Sequence, residues 1–455
     1  MSSETSLRAD DLVKVLREGF SEVKDFRDPL RTEISMTDCL ISGYAIYSLK
    51  FPSLLNFENE MRNRRNFSNL KSLFGVERIP SDTRMREVID EVNPEELRPS
   101  FKNLFSRAQR ANQLRDFSVL GGFYLLAGDG SGYFSSDKVS CSGCMVKRNK
   151  AKGEELYHHQ MFCGAIVKPG GDKVIPVCPE GIKNQDGSTK NDCERAAMKR
   201  FLFKYREDHP RLKTILLADA LHSTLPNLDD LERLNMSYIM SVKPGSHETL
   251  FRGIETWKTL NSVRTVVQEK ESGEKVKKKI IREYRFTNGI LLAQANVNRA
   301  VNFLDFIETT QWVGKDGELK ETRVHYSWIT DLSIFDSNCE EFARAGRTRW
   351  KIENEVFNTL KNQGYNFEHN FGHGYKNLST NMVYLMMLAF LCDQLQAIGC
   401  SLFKKAYEKA HEKVSKLWEY IKSMYTFFPI QIRSWEMLFG VISNSEEWIK
   451  VELIK

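Results

Sequence analysis

Three acidic residues have the type and setting for phosphoryl chemistry: Asp129, Asp219 and Glu353. Asp129 follows the apolar run GGFYLLAG and Asp219 follows TILLA, so each reads as the residue directly after a buried strand. Strand ends in an α/β sheet hold ligands and metals because the rigid backbone fixes the side chains there. Asp also terminates strands and starts turns, so neither residue is diagnostic alone. Glu353 lies in RTRWKIENEVFNTLK, which reads as a helix. At the α-helical pitch Glu353 falls about 40° from Arg349 and about 80° from Lys361, with Glu355 roughly 160° away. Arg349, Glu353 and Lys361 then form one charged face. Without the aspartates, Arg349 and Glu353 would read as an ordinary surface ion pair.

Two Asp and one Glu suit Mg²⁺, a hard cation that prefers oxygen ligands, with Mn²⁺ as a substitute. Two such ions activate the attacking oxygen and stabilise the leaving oxygen of a phosphodiester. Arg349, Lys351 and Lys361 are the cations expected to hold backbone phosphates beside it.

The elements that must position these groups follow from periodicity. Residues 1–118 read as helical, with Leu12, Val15, Leu16, Phe20 and Val23 at helical spacing and Pro80-Ser81-Asp82 as a helix start. This N-terminal region is the expected DNA-binding part. From 119 to 248, strand-length apolar runs appear at 119–126, 161–167, 174–177, 215–218 and 238–242. A helix from Cys193 to Tyr205, capped by Asp192, separates the third run from the fourth. Residues 249–344 carry turn signals at Ser272-Gly273, Asn288-Gly289 and Asp316-Gly317, which predicts an antiparallel meander with hairpins. Residues 345–400 return to helix and hold Glu353. Residues 401–455 read as a C-terminal helical region.

The order Asp129, Asp219, Glu353, on a first strand, a fourth strand and a late helix, resembles the DDE transposases of bacterial insertion sequences. GDGSGYFSS, ILLADALHS and RWKIENEVFNTLKNQGYNFEH resemble the corresponding segments of that family over roughly residues 65–400. The β-strand insertion is similar to that of the cut-and-paste subgroup, whose helix carries Tyr-x2-Arg-x3-Glu-x6-Lys. Arg349 and Glu353 match; Lys361 falls one residue late, and Gly346 stands at the Tyr position. The resemblance implies an α/β fold: an RNase H-like mixed sheet core with an antiparallel β insertion, flanked by N- and C-terminal helical regions. It implies Asp129, Asp219 and Glu353 as catalytic metal ligands, Mg²⁺-dependent hydrolysis at transposon ends, and attack of the freed 3′-hydroxyl on target DNA. It also implies that the insertion handles the cleaved end, by way of a hairpin intermediate.

Other signals are weaker. Cys141-x2-Cys144 precedes His158, His159, Cys163, Cys178 and Cys193, yet no second close pair has zinc-ligand spacing, so a structural Zn²⁺ is not expected and free thiols are. Asp137 rivals Asp129 but sits in a Ser-rich stretch. Asp192 and Glu194 read as a helix cap and first-turn acid, and His222 as a loop residue near Asp219. Trp328, with Trp312, could stack on an extruded base, although hairpin packing also explains both. Arg195, Lys199, Arg200, Lys204 and Arg206 line one helix as a phosphate-binding face, with Arg195 and Lys199 the leading DNA contacts.

The 455 residues are 41 % hydrophobic, 28 % charged and 11 % aromatic, which excludes a disordered, collagen-like or coiled-coil chain. A net charge of +6 permits a polyanionic partner without establishing one. The start, MSSETSLRADDLVK, lacks an apolar leader core, and the apolar run 382–392 is shorter than the about 20 residues a bilayer span needs. Nine cysteines without a compact disulfide framework fit a reducing cytoplasm, here beside the nucleoid. The expected protein is a transposase acting on double-stranded DNA, as a homodimer or larger synaptic complex because two ends must be joined. The alternatives are a metal-dependent nuclease of the same fold without strand transfer, or an inactive DNA-binding relative.

Overall fold

The computed structural model describes residues 7–149, 153–183, 193–260, 262–273, 277–294, 297–427 and 431–444. Six helices come first: α1 (Ala9–Ser21), α2 (Met36–Ser48), α3 (Leu54–Met61), α4 (Arg64–Phe74), α5 (Asp82–Glu91) and α6 (Arg98–Arg110). Their starts are set by local chemistry. Ser35, Ser53 and Ser81 each accept a hydrogen bond from the backbone N–H three residues on, satisfying donors that the first helical turn leaves open.

The sheet is built from β1 (Ser118–Val119), β2 (Phe123–Ser136), β3 (Met145–Asn149), β4 (Glu154–Val167), β5 (Ile175–Pro176), β6 (Glu180–Ile182), β7 (Thr214–Ala218) and β8 (Ser237–Ser241). Four longer strands complete it: β9 (Arg264–Ser272), β10 (Lys278–Gln294), β11 (Val297–Val313) and β12 (Leu319–Thr330). The order is β3-β4-β2-β7-β8-β12-β11-β10-β9, with β1 on β2 and β5 and β6 on β4. β2, β7 and β8 run parallel; every other pairing is antiparallel. The helices α7 (Glu194–Asp208), α8 (Leu225–Arg233) and α9 (Glu248–Thr259) fall between strands. β7 (TILLA) is buried along its whole length, as a central parallel strand covered on both faces must be. This is a mixed α/β architecture with an RNase H-like core. The hairpin strands do not stand apart from it: β12 pairs with β8 through Trp328, Ile329 and Thr330, making one continuous sheet.

After β12 come α10 (Cys339–Arg347), the segment carrying Glu353, α11 (Asn358–Asn362) and α12 (Leu378–Gly399), then α13 (Ser401–Lys409), α14 (Val414–Thr426) and α15 (Trp435–Ser443). α12 is long and apolar enough to cross a bilayer by composition, but it is buried nearly throughout and packs against α2, α5 and α6. Its N-terminus is held by Asp90, whose carboxylate accepts from the N–H groups of Tyr375, Asn377 and Leu378.

Three expectations change. β2 does not stop before Asp129 but continues to Ser136, because β4 pairs with it well past the point where β7 ends. Asn288-Gly289 is not a hairpin turn. It is a bulge inside β10, where the register to β11 shifts between Thr287 and Ile290, Gly289 takes a φ of 79°, and the Asn288 amide bonds both N and O of Ile334. The Glu353 helix is not α-helical at the key residues: Thr348–Trp350 is a 3₁₀ turn and Ile352–Phe357 a π-helical one. The proposed cap Asp192 lies outside the described residues.

Candidate active site

β2 and β7 pair in parallel register, with Tyr124 opposite Thr214 and Ala127 opposite Leu217. Advancing two residues on each side puts Asp129 opposite Asp219, at the level where β7 ends. Neighbouring strands are about 4.8 Å apart, and matched positions on parallel strands share a face, so the two carboxylates are neighbours. Asp129 Oδ1 accepts from the N–H of Gly130 at 2.8 Å, and Asp219 Oδ1 from the N–H of Leu221 at 2.9 Å.

Glu353 reaches the same place through Arg349. The guanidinium donates from Nη2 to Glu353 Oε1 at 2.7 Å and from Nη1 to Asp129 Oδ2 at 3.3 Å. Ile352, Val356 and Phe357 anchor the π turn in the core, leaving Glu353 half-exposed on the open side. Glu355 points elsewhere, toward Lys351 and Asp172, and burial raises its carboxyl pKa.

A fourth carboxylate completes the cluster. Glu194, at the start of α7, lies beside Gly130, where a Cβ would stand 2.7 Å from its Oε2. Glycine is thus what lets the acid approach β2. Glu194 Oε1 is 2.8 Å from Nε2 of His222, which is buried and lies 3.9 Å from Asp219 Oδ1. Read from sequence as a first-turn acid, Glu194 gave only its helix-start position as a local signal. Burial pushes the Asp129 carboxyl up to about 6; Glu194 and Asp219 add to the rise, while the Gly130 N–H and Arg349 oppose it. Asp137, the rival acid, lies just beyond the end of β2.

The expected DNA contacts fare unequally. Arg349 is at the site. Lys361, on α11, pairs with Glu368 at 2.7 Å instead of facing the carboxylates, because the 3₁₀ and π turns break the uniform helical spacing. Lys351 is corrected: its side chain is buried and its ammonium donates to the Gly171 carbonyl, which leaves it no access to a phosphate. Trp328 is corrected too. It is buried between Tyr326, stacked at 5.5 Å, and Gly346, so it packs the junction of β12 with α10 rather than presenting a face to a base. On α7, Arg195 is exposed, but Lys199 pairs with Asp230, Arg200 with Glu180, and Lys204 with Glu95 and Glu180. Arg206 donates to loop carbonyls. Most of that face therefore fastens α7 to its surroundings.

The cysteine pair acquires partners that spacing did not offer. Cys141 and Cys144, in the loop between β2 and β3, meet His159 on β4 and His373 in the loop before α12. The missing pair of ligands comes from positions far apart in the chain, so the absence of a second close pair in the sequence does not count against a metal site here.

Asp129, Asp219, Glu194 and Glu353 thus lie around the ends of a parallel strand pair and a late helical segment of an RNase H-like sheet. Residues 149–391, more than half of the chain, match the family described as transposase DDE domain, and the chain belongs to that family. Asp219 and Glu353 fall inside the matched span and Asp129 just before it. No curated protein sequence matches the chain.

Proposed function

We propose that the chain is a DDE transposase that hydrolyses phosphodiester bonds at transposon ends and joins the freed 3′-hydroxyl to target DNA, using Mg²⁺ held by Asp129, Asp219 and Glu353. The observation that carries this reading is the parallel register of β2 and β7, which brings Asp129 level with Asp219 just past the end of β7, with Glu353 drawn to Asp129 by Arg349. The donor set fits the ion. All the candidate ligands are hard carboxylate oxygens, and the Asp129 carboxyl is raised first by burial and then by the neighbouring charges of Glu194 and Asp219, both of which a bound cation would relieve. When bound, divalent ions would activate the attacking oxygen and stabilise the leaving one.

The chain's own groups have distinct tasks. Asp129 and Asp219 hold carboxylates at a fixed strand separation. Arg349 orients Glu353 and has the forked geometry to take a backbone phosphate. Glu194 and His222 act as positioning residues beside the aspartates. Arg195 and, once released from Asp230 and Glu368, Lys199 and Lys361 are the remaining candidates for phosphate contacts to double-stranded DNA. Joining two ends calls for a homodimer or larger synaptic complex, working beside the nucleoid in the cytoplasm.

Glu353→Gln tests the reading. It is expected to abolish Mg²⁺-dependent nicking of DNA carrying the element's ends while DNA binding survives; undiminished nicking would sink it. Strand-transfer products from pre-cleaved ends separate a transposase from a plain nuclease. An inactive relative is disfavoured by the presence of all three acids.

A further inference from the structure

We propose that Cys141, Cys144, His159 and His373 form a structural zinc site that clamps the strand bearing Asp129 to the segment behind Glu353. The four donor atoms converge on one point. Cys141 Sγ lies 3.9 Å from Cys144 Sγ and 3.4 Å from His159 Nε2. Cys144 Sγ lies 3.3 Å from His159 Nε2 and 3.2 Å from His373 Nε2, and the two imidazole Nε2 atoms are 3.2 Å apart. A tetrahedron with Zn–S bonds of about 2.3 Å and Zn–N bonds of about 2.05 Å has edges of about 3.8 Å between sulfurs and about 3.3 Å between nitrogens. The sulfur–sulfur and nitrogen–nitrogen spacings match those edges, the sulfur–nitrogen distances of 3.2–3.4 Å fall slightly inside the corresponding edge of about 3.6 Å, and two thiolates with two imidazoles are ligands that zinc takes in closed structural sites.

The surroundings fit the same role. His373 Nδ1 lies 3.0 Å from the Gly374 carbonyl, so that nitrogen carries the proton and the Nε2 lone pair faces the cluster. The N–H of Cys141 donates to Cys144 Sγ at 3.4 Å, and that of Cys144 to the Cys141 carbonyl at 3.2 Å, folding the C-x2-C segment into a tight turn. Cys144, His159 and His373 are buried, and the imidazoles are wedged among Tyr133 and Phe134 of β2. A network of thiol–imidazole hydrogen bonds is the competing account. It explains contacts pair by pair but gives no reason for four donors to share one centre.

The consequence lies in the topology. Cys141 and Cys144 follow the strand that carries Asp129, and His373 follows the helical segment that carries Glu353. One ion would therefore lock together two parts of the sheet-and-helix core that the long β9–β12 excursion separates in the chain. This site is independent of the reaction proposed above, and so is its test.

The experiment is metal analysis of the untagged full-length chain produced with zinc available. About one zinc per chain is expected, lost in Cys144→Ser and His373→Asn and kept in Asp129→Asn. Should the ligand variants fail to fold, cobalt exchanged into the wild-type chain reads the same site. A thiolate-to-cobalt charge-transfer band with intense tetrahedral visible bands is expected. A wild-type chain without zinc, a disulfide between Cys141 and Cys144 in protein purified under reductant, zinc undiminished in both ligand variants, or a weak octahedral cobalt spectrum would each overturn the proposal. None of these readouts depends on DNA cleavage, so loss of the zinc site and loss of the transposase reading are distinguishable.

Discussion

Arg349 Nη1 lies 3.3 Å from Asp129 Oδ2, across the gap between a helical turn and the central strand of the sheet. The same guanidinium holds Glu353 at 2.7 Å, so one side chain aligns two of the three acids. Arg349→Ala is expected to lower DNA nicking by about 100-fold, because the reacting groups lose their alignment. Arg349→Lys should recover only part of it, since a point charge cannot fork between two carboxylates. Rates of nicking at saturating Mg²⁺ measure both.

Asp129 gives the site its pH dependence. With burial holding its carboxyl near 6, it is protonated in the metal-free protein below that pH and cannot ligate a cation. Mg²⁺ affinity is therefore expected to fall as pH drops through 6, as followed by calorimetry. The stability effect has the opposite slope. Between its unfolded value, 3.8, and about 6, the folded chain keeps a proton that the unfolded chain has released, so this group's contribution falls as pH rises. Without Mg²⁺, Asp129→Asn should be the more stable protein at about pH 7.5, by up to about 3 kcal/mol, and the difference should vanish near about pH 4. Urea titrations at the two pH values check it.

Gly346 occupies the Tyr position of the family signature, and the structure supplies a reason. A Cβ there would stand 2.6 Å from Trp328 Cε2, so the indole takes the space a side chain would need. Gly346→Tyr is expected to destabilise the protein by at least about 1–3 kcal/mol through overpacking. Adding Trp328→Ala should recover part of that loss. Denaturation midpoints of the single and double variants decide the matter.

Lys50 and Asp393 form a buried ion pair at 2.7 Å between the end of α2 and α12. The ammonium also donates to the Tyr47 carbonyl and lies 3.6 Å from the centre of the Tyr365 ring, whose hydroxyl donates to Asp393. Removing one partner leaves the other charge buried and unpaired. Lys50→Met is expected to cost about 3–5 kcal/mol, and the double change Lys50→Met with Asp393→Leu considerably less. A double-mutant cycle by chemical denaturation is the measurement.

What could be read before folding was whatever local pattern encodes. The buried runs ending at Asp129 and Asp219 announced themselves by composition, because a central parallel strand must be apolar on both faces. Arg349 and Glu353 were legible as helix neighbours, and their contact survives the change from α to 3₁₀ and π geometry. Packing decided the rest. Trp328 is buried against Tyr326 and α10, Lys351 is held by Gly171 far back in the chain, and Lys361 is taken by Glu368. Asn288-Gly289 has the composition of a turn, but β11 pairs with β10 both before and after it, which makes it a bulge. Glu194 and His373 matter only through where α7 and the loop before α12 come to rest, and spacing along the chain carries no trace of contacts made across 28 residues in one case and 229 in the other.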